Sequence, residues 1–202
     1  MKSRAATIAA ITLTAVLTLA GCTYITGGRG SDDMPGMGPS SRSVAEDVNT
    51  ADLRFTMMMI PHHEQAVEMA DLVTAADGID PRVVRLADQI KTDQSAEIEL
   101  MESWLDEWDL PMGDIGDMGD MGDMGHGGMM SDTDMRALED ATGVEASRLF
   151  LEEMIDHHRG GIEMAEDEVD DGRNRDVVAL AERIIVSQTA EIATMEDTLA
   201  SL

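Results

Sequence analysis

The sequence predicts an all-α protein, an antiparallel four-helix bundle built from two copies of one helical hairpin. Three observations carry this. The first is an internal duplication. Residues 55–71 (FTMMMIPHHEQAVEMAD) and 150–166 (FLEEMIDHHRGGIEMAE) agree at eight of 17 positions, and residues 83–105 and 177–199, after a one-residue shift, agree at 12 of 23. The second is a helical period: Val83, Leu86, Ile90, Glu97, Met101 and Leu105 recur at threes and fours. The third is punctuation. Asp80-Pro81 supplies an N-cap followed by Pro at the first helical position, Gly78 suits the end of the preceding helix, and Pro111 follows the end of the next. One hairpin alone offers little core, so the two should pack together with pseudo-twofold symmetry.

Taken in order, the chain begins with a stretch outside the fold. Lys2 and Arg4 precede an apolar, Thr-rich run from Ala5 to Ala20, and Leu19-Ala20-Gly21-Cys22 has the form of a bacterial lipobox. Residues 1–21 therefore read as a lipoprotein signal peptide, with Cys22, the only cysteine, as the lipidated mature N-terminus. Residues 22–42, rich in Gly, Ser and Pro, read as a flexible tether, and 43–202 as the bundle domain. Helices are expected near 50–77, 81–109, 144–171 and 175–201, with a short one near 132–141 behind Ser131 and Asp132. Pro61 falls inside the first helix, robs the Met57 carbonyl of its partner and should kink it. Gly160 and Gly161 should weaken the corresponding part of the second copy. Between the hairpins, residues 111–130 repeat Gly-Asp-Met, too Gly-rich to hold a helix.

Composition narrows the chemistry. There are 41 acidic and 14 basic residues, a net charge of -27, which excludes nucleic acid as a partner and leaves contact with a membrane to the lipid anchor alone. A single cysteine excludes an internal disulfide framework and any Cys-x-x-Cys metal or redox site. The anomaly is methionine, with 18 residues against five aromatics.

All five histidines lie in or beside this Met-rich sequence. On a wheel of ~100° per residue, Met59, His62, His63 and Met69 fall within an arc of about 120°. Met154, His157, His158 and Met164 repeat the pattern. On the second helix of each hairpin, Glu97 with Met101, and Glu191 with Met195, share the apolar face together with Gln94 and Gln188. A carboxylate on such a face needs a partner, and the imidazoles are suited to that role. Thioethers favour Cu(I) and imidazole binds copper and zinc, so the set points to copper, with silver or zinc as the other candidate metals. Each Glu is either a direct ligand or the acceptor that fixes an imidazole ring. On this reading each hairpin holds one site, and affinity falls as pH drops through the ordinary His value of roughly 6.5. Met118, Met121, Met124, His126, Met129 and Met130 would form an accessory capture loop. The plainer readings are methionines as core filler, histidines as satisfied core residues, and the loop as an acidic linker. Trp104 and Trp108 read as bundle-end packing.

MMIPHHEQAVEMA and MIDHHRGGIEMA, each followed by Q-x-x-E-I-x-x-M, resemble the bacterial "domain of unknown function 305" family over residues 50–202. The resemblance implies a ferritin-like helical bundle and an association with copper binding and resistance outside the cytoplasm. It marks the His-His pairs and the nearby Met59, Met69, Met154 and Met164. Pro61 in one copy and Gly160-Gly161 in the other depart from internal symmetry, so the two copies need not be equivalent. The function expected is an extracytoplasmic, lipid-anchored protein that buffers copper, delivers it to a transfer partner, or confers resistance. The alternatives are a ferritin-like oxidase and a metal-free structural bundle. Glu-x-x-His, the signature of ferritin-like di-iron sites, is absent, and His63-Glu64 lacks the second His of a zinc protease motif.

Overall fold

The computed structural model describes residues 47–110 and 127–202. The stretches read as signal peptide and tether, and most of the Gly-Asp-Met segment, lie outside the described residues. Five helices are present among them: α1 (Thr50–Ala75), α2 (Pro81–Glu107), α3 (Asp132–Asp140), α4 (Gly143–Asp171) and α5 (Arg175–Leu199).

Their ends follow from side chains. Asn49 caps α1 by accepting from the Ala51 and Asp52 amides, and Asp52 reciprocates on the Asn49 amide. Asp80 caps α2 ahead of Pro81. Ser131 and Asp134 form a capping box on α3, and Asn174 caps α5. α4 has no side-chain cap; its first amide, on Gly143, donates instead to the Asp77 carbonyl at 2.8 Å. Gly78 and Gly143 both take positive φ at this meeting of two turns, and a Cβ on Gly78 would lie 3.4 Å from the Gly143 Cα. α1 runs through Pro61, and α4 through Gly160 and Gly161, without ending.

α1 and α4 form the central pair, with α2 flanking α1 and α5 flanking α4. The start of α1 meets the end of α4, where the Asn49 side chain donates to the Asp171 carbonyl, so the central pair is antiparallel. Arg82 at the start of α2 reaches Ser201 beyond the end of α5. Cross-hairpin joints are pseudo-symmetric. The Asp80 amide donates to Ser147 Oγ at 3.1 Å, and the equivalent Asn174 amide donates to Asp52 Oδ1 at 2.8 Å.

The core is two apolar clusters, one toward each end. Val73, Val83, Ile90, Phe150 and Leu151 build the first, with Leu138 of α3. Phe55, Ile60, Leu105, Val177, Leu180 and Ile184 build the second. Each takes its Phe from one repeat and most of its second-helix aliphatics from the other hairpin, Leu105 in the second cluster being the exception, so each core is shared by both hairpins. Burying each such side chain contributes roughly 1.5–3 kcal/mol, and the clusters hold the hairpins together. Trp104 and Trp108 stack at 6.3 Å, interplanar 18°, against the second cluster.

Candidate metal centre

Between the clusters lies a polar layer. His62 and His63 from α1, Gln94 from α2, His157 and His158 from α4, and Gln188 and Glu191 from α5 are all buried, while Glu97 is half-buried. Helical spacing puts both members of each His pair inward because α1 and α4 are central helices, covered on more than one side. At the middle of this layer His62 and its repeat-mate His157 meet with ring centroids 3.7 Å apart and planes tilted by 30°. His63 and His158 lie outboard, 6.3 and 6.4 Å from their neighbours. Whereas the sequence reads as one site per hairpin, duplication and antiparallel packing bring all four imidazoles into one layer shared by both hairpins.

The hydrogen bonds fix tautomers. His63 Nε2 lies 2.7 Å from Glu97 Oε2, and His158 Nε2 lies 2.8 Å from Glu191 Oε2. A carboxylate only accepts, so each Nε2 carries a proton, and in the neutral ring Nδ1 is then the atom with the lone pair. His62 Nε2 donates in the same way to the Gly127 carbonyl at 2.8 Å. Those three Nδ1 atoms, both nitrogens of His157, and the amide atoms of Gln94 and Gln188 are buried without partners. Buried polar groups are ordinarily paired, and leaving so many unpaired in one plane is costly. Burial, and next the neighbouring His63, pushes His62 down to about 3. Burial, and next His62, holds His157 well below the ordinary value. Titration near 6.5, as the sequence suggested, does not hold for these two; they stay neutral, with a lone pair on one nitrogen, far into acid.

The thioethers are redistributed as well. Met59 and Met101 are buried in the second cluster with Met164 packed against it, whereas Met69, Met154 and Met195 are buried in the first. Each cluster thus draws its methionines from both repeats and flanks the histidine layer on one side. Among the described residues no three His, Cys, Asp or Glu side chains converge on one point. The layer is not a closed oxygen-and-nitrogen cage, and a soft ion there would draw on thioethers to complete its shell.

A strap closes the layer. Residues 127–131 cross from the end of the Gly-Asp-Met segment to α3. Gln65 grips Met130 twice, accepting from its amide at 2.7 Å and donating to its carbonyl at 3.0 Å. Gly160, the repeat-mate of Gln65, has no side chain because none fits: its Cβ would sit 1.7 Å from the Gly127 carbonyl. A Cβ on Gly161 would sit 2.6 Å from Gln188 Oε1 and 3.1 Å from His62 Cε1. The two glycines are thus there for close approach, admitting the strap and Gln188. Met130 is not part of a pliable capture loop as expected; it is pinned to α1 and packs on the first cluster. Met129 belongs to the same described strap, while Met118, Met121, Met124 and His126 lie outside the described residues.

Sequence reasoning missed Gly127, Gln65 and the pair Asp52 and Glu168. Asp52 is fully buried and accepts from the Arg173 and Asn174 amides at 2.9 and 2.8 Å. Glu168 beside it is 1% exposed, and burial first, with Asp52 adding to it, pushes its carboxyl up to about 8. The available signal was broken symmetry: Glu168 stands where repeat one has Val73, Asp52 where repeat two has Ser147, and Gly160 opposite Gln65.

The family model "Domain of unknown function (DUF305)" matches residues 52–199. Among solved structures, a DUF305 protein of Streptomyces coelicolor classed as secreted is 37% identical, with a TM-score of 0.69 over 75% of this chain and 91% of that one. A DUF305 fragment from Deinococcus radiodurans is 29% identical, TM-score 0.66, over 77% and 99%. CopM in its Cu(II)-bound form is 30% identical, TM-score 0.62, over 74% and 96%, and it is also known in Cu(I)-bound and Ag-bound forms. No curated protein matches the chain. No helix among the described residues is long and apolar enough to cross a membrane.

Proposed function

The chain belongs to the DUF305 family, and from that premise we propose that it is an extracytoplasmic lipoprotein that binds soft metal ions, Cu(I) first, for buffering, delivery or resistance. The observation that carries the reading is the histidine layer. Five imidazole nitrogens lie buried and unpartnered there. Glu97, Glu191 and the Gly127 carbonyl hold three of the rings with Nδ1 as the open atom. A metal-free structural bundle gains nothing from such a layer, since apolar residues of similar volume would pack at lower cost. The copper and silver forms of CopM support the choice of metal. Thioethers on both sides favour Cu(I) over Zn(II), and silver serves as its mimic.

His62, His63, His157 and His158 would supply imidazole nitrogen, and Met59, Met69, Met101, Met154, Met164 and Met195 thioether sulfur. Glu97 and Glu191 orient rings. Met118, Met121, Met124 and His126 would gather ions, helped by the net charge of -27, which raises cation concentration around the molecule. Handing on the ion would require a transfer protein at the cell envelope, where lipid on Cys22 keeps this one. The test is an anaerobic Cu(I) titration of the full chain against a competing chelator, with circular dichroism alongside. His62→Ala/His157→Ala should lose Cu(I) from the layer while remaining helical. Binding equal to the parent would refute the assignment.

A further inference from the structure

The duplication creates two equivalent grooves between α1 and α4, one toward each end. At one end α3 lies over the groove, with Leu138 fully buried in the cluster that contains Leu72, Val73, Leu149 and Phe150. At the other end the repeat-mates are Asp167, Glu168, Arg54 and Phe55, and no described element lies over them. What remains is a cleft of about 110 Å³ whose walls include these four residues with Met58 and Met164.

Its chemistry departs from the covered twin in one direction. Glu168 replaces a core valine, is 1% exposed, and meets no protein N–H or cationic donor; its one side-chain partner is the buried carboxyl of Asp52. Met58 replaces Glu153 and lines the cleft together with Met164, which sets two thioethers among the carboxyl groups of Asp167, Glu168 and Asp171 and the Phe55 ring. Arg54 is drawn to the rim by Asp167 at 3.9 Å. A hard divalent ion would need an oxygen cage, which the described residues do not assemble here. A soft monovalent ion needs polarisable donors and a carboxyl oxygen; Met58 and Met164 supply the first and Glu168 the second, its proton leaving as the ion enters. The cleft also adjoins the histidine layer: a Cβ on Gly127 would meet Met164 Sδ at 3.5 Å, and the Gly127 carbonyl holds His62.

We propose that this cleft is a second soft-cation site, formed by Met58, Met164 and Glu168, through which an ion reaches the histidine layer. The proposal rests on the metal-binding reading above and names its port of entry. Arg54, the one cationic wall, guards the port, and its removal should tighten binding.

The probe is Ag(I), in chloride-free buffer, added to full-length protein labelled with [methyl-13C]methionine. The Met58 and Met164 methyl resonances should shift together in the parent, and the bound Ag(I) count should fall by one in Met58→Leu. Glu168→Val, which restores the residue of the covered twin, should abolish the Met58 shift, and Arg54→Ala should lower the Ag(I) dissociation constant severalfold. The His62→Ala/His157→Ala protein should still show the Met58 shift. An unmoved Met58 methyl in the parent, or full Ag(I) count in Met58→Leu, overturns the cleft site while leaving the histidine layer standing. A full count in the histidine variant alone overturns the layer and leaves the cleft. Should Glu168→Val fail to fold, Met58→Leu decides, since that exchange conserves volume.

Discussion

Glu97 and Glu191 decide which nitrogen of His63 and His158 is open. Replacing either Glu with Ala should lower Cu(I) affinity about 10–100-fold with the fold kept, as read by chelator competition. Two other residues lead the pH response of the metal-free protein, with His157 acting in the same direction as His62 and Glu153, raised by burial to about 7, in the same direction as Glu168. His62 falls from 6.5 to about 3 on folding, so the unfolded chain binds the extra proton between those values and stability declines as pH drops through that window. Glu168 rises from 4.5 to about 8, so the folded chain holds the extra proton and stability declines as pH climbs from 4.5 to 8. The opposed windows overlap between 4.5 and 6.5, and thermal unfolding across pH should peak there. Glu168→Val should flatten the alkaline limb alone; a limb of unchanged slope would mean that another group sets it. The His-Glu pairing was legible in the sequence because a carboxylate on an apolar stripe demands a partner. Glu168 was not, because in a chain with 41 acids one more Glu near a helix end reads as surface. Only comparison with Val73 across the repeat exposes it.

At the level of elements, helix positions followed from periodicity and caps, and the four long helices lie within about two residues of expectation at most ends. What periodicity could not supply was how the repeats meet. A helical wheel shows that Met59, His62, His63 and Met69 share a face, but the antiparallel pairing of α1 with α4 sends Met59 and Met69 to opposite clusters. The segment 111–130 likewise read as one loop, since backbone contacts leave no trace in composition; it divides at the strap, where Gly127 and Met130 are bonded to α1. Deleting 113–125 should therefore leave helicity and melting temperature nearly unchanged while reducing the Cu(I) count. Extending the deletion through 129 should lower the melting temperature by several degrees, about what loss of 1–2 kcal/mol produces in a domain of this size. Gly160→Ala should act like the longer deletion, because its Cβ would sit 1.7 Å from the Gly127 carbonyl. Equal melting temperatures for parent and Gly160→Ala would show that the strap contributes nothing.

For the molecule as a whole, lipid on Cys22 should fix where it works. Cys22→Ala should move the protein from the membrane fraction to the soluble one, and unchanged retention would count against the anchor. The two apolar clusters, separated by a plane of unpaired imidazoles and amides, have a further consequence for cooperativity. Without metal, the plane is where the interior is least satisfied, and each cluster can loosen with little penalty to the other. Amide hydrogen exchange in the apo protein should then resolve two opening units of different protection, one per cluster, instead of a single global event. An ion bound between them adds its binding free energy only when both halves are closed. Copper would act as a bolt through the middle of the bundle, merging two weakly coupled halves into one cooperative unit, and the protection factors at the two ends should become equal as the layer fills.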